Sequence, residues 1–310
     1  MRRRVLGSLS ASLLLAFSLA SCATTKVPEL KYPVALAVGA DQRIYFADRD
    51  LGSLFRMDDI AGKGLVGYGT KGSGGPGRFL SLEGRVAFDS LGRIHIVDCK
   101  NAKVIRFDDM RGGNWTELST AAYGLPYPAG VAVDREGRVY VTDIAVHAVA
   151  RFDSMGGEGF VRLGERGKGE GQFSLPFAVA VDGDNRVYVA DEMNGRIVRF
   201  DDMSGAGWTS LDGRGVPSDR GFVAPADIKL LPDGTILVAD ADGGRLFSFA
   251  SMDGSGRRVF GWDGVGGRTM YPLGVGVDSS GRLYFTDNQA KQVIRVDGFD
   301  GAGLVGFPAP

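Results

Sequence analysis

Few residues in this 310-residue chain are equipped for metal or nucleophilic chemistry. With only 2 His and 2 Cys, neither a three-His zinc centre nor a zinc finger can form. Carboxylates are plentiful, and six Asp each close an alternating run: RIYFAD at Asp48, RIHIVD at Asp98, RVYVTD at Asp143, RVYVAD at Asp191, TILVAD at Asp240 and RLYFTD at Asp287. An Asp required six times over does a job common to six units. Accepting loop N–H bonds and pairing with Arg fits that better than holding a metal. Asp182-Gly183-Asp184-Asn185 has the start of a calcium loop without its length or closing Glu. The glycine-rich strings at 69–77 and 164–171 are followed by no Gly-Lys-Ser/Thr and no helix, so they are not phosphate loops. His95 stands where other units carry Tyr45, Tyr140, Tyr188 and Tyr284, which makes it a core substitution. His147 falls in a loop.

The elements that must position these residues follow from the repeat. The six Asp are spaced 50, 45, 48, 49 and 47 residues apart, about one four-stranded propeller blade. The fourth unit shows four strand signals. They are Val179–Val181, the alternating run from Arg186 to Asp191, Arg196–Phe200, and a last strand at Trp208-Thr209 after the turn that begins at Asp202. Turns of the type DDIAGKGL, DDMRGGNW, DSMGGEGF and DDMSGAGW recur before the fourth strand. No 3.6-residue period follows residue 22, so almost no helix is expected. The predicted fold is all-β, a six-bladed propeller with four antiparallel strands per blade.

The internal alignment also works as a control. From the Pro position to the Asp ending the second strand, all six units align without gaps. Two residues after that Pro position stand Ala35, Arg85, Gly130, Ala178, Asp227 and Gly274. Two further on stand Ala37, Ala87, Ala132, Ala180, Lys229 and Gly276. Small residues are expected where six inner strands converge. Arg85, Asp227 and Lys229 break the rule in blades two and five, on opposite sides of the ring, and Glu83 replaces the Pro of blade two. Two readings stay open: a polar constellation at the channel mouth gripping an anionic or zwitterionic ligand, or an internal ion-pair set that plugs the channel. The loops after the second strands vary where the strands repeat, and place Glu192 and Asn288, among others, at the same mouth. Binding loops on a rigid scaffold vary in this way, and so does unconstrained surface.

These units resemble NHL repeats. Gly169-Glu170-Gly171-Gln172-Phe173-Ser174-Leu175-Pro176, continuing through Asp191, Asn194 and Arg196, carries the pattern best, and the resemblance extends over about residues 31–307. It implies a six-bladed propeller serving as a protein or ligand platform. Amidating lyases of this type use three His for zinc, and two cannot supply them. Gluconolactonase-like propellers hold a divalent cation at the inner-strand starts, where this chain offers Asp227 among Ala, Gly and Arg.

The N-terminus reads as an address. Arg2, Arg3 and Arg4 precede an apolar, serine-rich stretch too short for a good membrane span, ending Leu19-Ala20-Ser21-Cys22. This ending resembles the bacterial lipobox. The resemblance implies cleavage after residue 21, lipidation of Cys22, and a membrane anchor stronger than a single acyl chain gives. Ala23 after the Cys favours the outer membrane by the same resemblance. The expected organisation is a signal peptide at 1–21, a tether at 22–30 and one propeller at 31–310. Cys99 is then left without a disulfide partner, as a buried, inert thiol. Residues 1–21 carry three Arg and no acid, so the remainder holds 33 basic against 37 acidic residues, a balance of −4 that argues against nucleic-acid binding. The expected function is a lipid-anchored envelope scaffold that binds a protein or small ligand without catalysis and without a cofactor or metal. The alternatives are a metal-dependent lactonase- or hydrolase-like propeller enzyme, or an accessory subunit of an envelope complex.

Overall fold

The computed structural model describes residues 27–215, 221–261 and 270–308. Its strands run from Pro33 to Phe307 and fold into six consecutive four-stranded antiparallel sheets, each in the order first, second, third, fourth strand. The first strands of the blades pack side by side around a closed ring, blade six against blade one included. The chain is therefore a six-bladed β-propeller. Helix is confined, among the described residues, to three single turns of 3-10 type at Cys99–Asn101, Thr120–Tyr123 and Glu192–Asn194.

The alternating second strands, such as Val187–Asp191, are buried on both faces because neighbouring blades cover them. Five inner strands begin at the Pro itself: Pro33–Val38, Pro128–Val133, Pro176–Val181, Pro225–Leu230 and Pro272–Val277. Each Pro lies opposite the Asp that ends the second strand, and the register shifts just after it. Proline lacks the N–H that a continuous ladder would need. Blade two, with Glu83 in the Pro position, pairs over Val86–Phe88 alone. Arg85 is thereby released from the sheet, and its backbone N–H donates across the blade boundary to the Ala129 carbonyl at 3.1 Å.

Close approach of inner strands explains the small residues there. A Cβ on Gly274 would lie 2.5 Å from the Leu36 nitrogen, and one on Gly130 3.0 Å from the Ala178 Cα. The ring closes without a shared strand. Blade six completes its own sheet with Val305–Phe307. Phe307 then joins Leu36, Phe46, Phe55 and Met57 of blade one in one apolar cluster, with Leu30 of the segment before the first strand buried among them.

The glycine-rich connectors fold back as short parallel pairs, Thr70–Lys71 with Arg78–Phe79 and Glu165–Arg166 with Gln172–Phe173. They deliver Phe79 and Phe173 into the core, beside Trp115 and Trp208 at 5.7 and 5.3 Å. In blades three, four and six the first hairpin turn is tied by an Asp–Arg–Tyr set. In blade three, Asp134 accepts from Arg138 Nε at 2.6 Å and from the Tyr140 hydroxyl at 3.1 Å. Blade two keeps Asp89 and Arg93, but His95 puts only Nε2 at 4.0 Å from Asp89.

Candidate functional site at the channel mouth

The six repeated Asp are buried and build the rim of one end of the channel. Asp48 accepts from the backbone N–H groups of Lys31, Tyr32, Asp50 and Leu51, at 2.7 to 3.0 Å. Asp143 does the same for Tyr127, Ala145 and Val146. Asp191 adds Asn194 and Arg196 Nε, both at 2.8 Å. These carboxylates staple the chain entering the blade to the loop leaving the second strand, and Asp240 ties the entering chain to Arg245 at the start of the third strand. The loops that differ between blades are thus held on six copies of one rigid device.

Those loops and the inner-strand starts enclose a cavity of about 150 Å³ at the mouth. Its polar lining is Arg49, Glu83, Arg85 and Glu192, and its aromatic wall is Tyr32, Phe177 and Tyr271. The Arg49 guanidinium lies 3.4 Å over the Tyr32 ring centre, with Glu83 Oε1 at 3.8 Å. Glu83 also accepts from the Ser81 hydroxyl at 2.9 Å and the Tyr127 hydroxyl at 3.1 Å. Burial pushes the Glu192 carboxyl up to about 7; Arg85 opposes the shift and Asp242 adds to it. Burial, reinforced by Asp242, raises Tyr271 to about 12.

Arg85 forms the floor. It is 1 % exposed, its Nε is 3.3 Å from Asp227 Oδ1, and its Nη2 donates to the Ala226 carbonyl. The guanidinium also lies over Phe177, 4.9 Å from the ring centre, and its Nη1 has no hydrogen-bond partner among the described residues. Burial pulls its pKa down against the opposing pull of Asp227. Asp227 is equally buried and accepts from the backbone N–H groups of Ile228 and Val275, each at 3.0 Å. The pair spans the ring from blade two to blade five and closes the channel at its waist.

The residues singled out by the repeat therefore separate. Arg85, Glu83 and Glu192 line the mouth cavity, and Asp227 lies beneath it. Lys229 does not reach the mouth: its Nζ is 3.6 Å from Asp227 Oδ1 on the far side of the pair, where it lines the opposite end of the channel. Two residues along a strand is about 6.6 Å, enough to pass the waist. Asn288 is half-buried beside the cavity, its backbone N–H donating to the Tyr271 carbonyl at 3.1 Å. Cys22 lies outside the described residues. Cys99 is fully buried behind the mouth, and burial raises its thiol pKa. His147 accepts the Leu175 N–H on Nδ1 at 3.1 Å, a structural bond. Among the described residues no three His, Cys, Asp or Glu side chains converge as metal donors.

Charge contrast alone does not single out the aromatic wall. Part of its signal is a dipeptide: Tyr32 and Tyr271, like Tyr127 outside the cavity, directly precede the Pro of their blade, whereas Phe177 follows its Pro. A residue before Pro is biased toward extended backbone, although Leu175 before Pro176 takes a left-handed φ of 53°.

Against known proteins, residues 125–152 match the NHL repeat, the stretch that forms the first three strands of blade three. No curated protein matches the chain. Similar solved structures include a streptogramin B lyase (TM-score 0.63, 15 % identity, 91 % of this chain and 85 % of that one). A catalytically inactive virginiamycin B lyase from Staphylococcus aureus with quinupristin superposes with a TM-score of 0.62 at 16 % identity, covering 91 % and 88 %. A chain of the nidogen/laminin complex gives 0.60 at 19 % identity, over 80 % and 87 %. At such identities the likeness is one of fold, and that fold is shared by an enzyme and a binding protein.

Proposed function

We propose that this propeller, which carries an NHL repeat at residues 125–152, is a lipid-anchored protein of a bacterial cell envelope that binds its partner at the channel mouth without catalysing a reaction. The observation that carries this is where the repeat is broken. Glu83 and Arg85 depart from the inner-strand pattern, and with Arg49 and Glu192 of the variable loops they converge on one cavity, held by a repeated carboxylate frame. Charges of both signs beside Tyr32, Phe177 and Tyr271 suit a partner presenting a polar or zwitterionic group.

Anchoring at Cys22, with residues 1–21 removed, residues 22–30 as tether and the outer membrane as destination, rests on the Leu19-Ala20-Ser21-Cys22 ending. The metal-dependent alternative finds no donor set among the described residues. The accessory-subunit reading differs only in the identity of the partner.

A photo-reactive residue at Met193, exposed on a mouth loop, is compared with one at Leu91, exposed on a first-hairpin turn at the other end. Irradiated native membranes should yield a discrete adduct from position 193 and none from 91. Equal labelling at both, or none at either, rejects the mouth as the binding face. Mass spectrometry of the mature N-terminus tests the anchor: an acylated Cys22 is expected, and a soluble, unmodified terminus refutes it.

A further inference from the structure

The opposite end of the channel has a different chemistry. Below the Arg85–Asp227 pair the inner strands diverge into a funnel of about 330 Å³, within the size range of small-molecule pockets. Its wall takes one half-buried apolar side chain from every blade: Val38, Phe88, Val133, Val181, Leu230 and Val277. The level above is Ala or Gly in five blades and Lys229 in the sixth. Five small residues open the space, and among the described residues Lys229 is the one charged residue in the lining.

Lys229 is under-compensated. Asp227 Oδ1 is shared between Arg85 Nε at 3.3 Å, Lys229 Nζ at 3.6 Å and the Ile228 N–H at 3.0 Å. One carboxylate thus faces two cations, and Asp227 is the only ion-pair partner of Lys229 among the described residues. At 3.6 Å the contact is beyond hydrogen-bonding distance, so the ammonium donors remain available. An ammonium at the base of an apolar funnel attracts an anion more strongly than one in water, because the surrounding dielectric is lower.

We infer that this funnel is a second binding site, for a monoanion with an apolar body, its carboxylate on Lys229 Nζ and its hydrocarbon against the six apolar side chains. Octanoate is the probe. Calorimetric titration of the purified protein should show one octanoate per chain. Lys229→Met should weaken octanoate at least tenfold while leaving octanol binding unchanged. Lys229→Arg should retain octanoate within about threefold. Octyltrimethylammonium should not bind. Should Lys229→Met not fold, Lys229→Gln gives the same contrast. Failure of the wild-type protein to bind octanoate, or equal affinity in wild type and the Lys229→Met or Lys229→Gln variant, overturns the site.

Discussion

Replacing Arg85 by Met leaves the Asp227 carboxylate 1 % exposed at the centre of the ring without its guanidinium. Breaking a buried pair from one side costs about 3–5 kcal/mol. Asp227 would keep Lys229 Nζ at 3.6 Å and two backbone N–H donors. The loss should therefore fall at the lower end, about 3 kcal/mol. Asp227→Asn should cost more, about 4–5 kcal/mol, because it strands two cations, one fully buried with the Ala226 carbonyl, the Phe177 ring and the more distant Glu192 carboxyl left to it. The double variant removes both halves and should return to within about 1–2 kcal/mol of the wild type, since well-packed substitutes for a buried pair are often near neutral. Urea unfolding followed by fluorescence and circular dichroism gives the four stabilities, with coincident transitions and equal slopes as the condition for comparing them. Additive single effects, with a coupling below about 0.5 kcal/mol, would refute the pair as the structural plug of the channel.

Three further outcomes follow from the geometry. Glu192 titrates near 7 in the folded chain against an ordinary 4.5, so the protein is most stable with this group protonated and loses that stability as pH rises from about 4.5 through 7. Glu192→Gln should accordingly melt with the wild type at pH 4.5 and above it at pH 8; an equal gain at both pH values would refute the assignment. His95→Tyr should restore the hydroxyl-to-Asp89 bond its sister blades make, adding about 1 kcal/mol in thermal or urea unfolding; it should also remove an acid-side loss, because burial holds His95 down at about 4 and protonating it favours unfolding. Gly274→Ala would push a methyl to 2.5 Å from the Leu36 nitrogen at the seam between blades six and one, and should cost about 2–3 kcal/mol in the same assay; a neutral effect would refute close packing at the seam.

The propeller was legible because its signals are local and repeated. Alternating strands, turn residues and an Asp at a fixed place recur six times, and errors in one unit are corrected by the other five. The fourth unit shows the limit: its inner strand begins at Pro176 rather than Val179, since Pro can open a strand that does not need its N–H. Arg85 and Asp227 could be paired across the ring because they occupy the same level of opposite blades. The assignment of Lys229 to the mouth overlooked the rise along the strand, which carries it past the waist. The shortened inner strand of blade two was not visible, because the loss of one Pro does not say how far pairing retreats. Nor was the contact of Arg49 with Tyr32, since it joins a loop to the segment before the first strand, and repeat alignment is blind to contacts between unaligned parts.

Adduct formation from position 193 should depend on the charges of the mouth. In Arg49→Glu and Glu192→Arg chains that melt within a few degrees of the parent, the yield in native membranes should fall about tenfold, while labelling by a probe at position 91 stays at background. A yield unchanged by both reversals would contradict recognition at this cavity and leave the loops as ordinary surface.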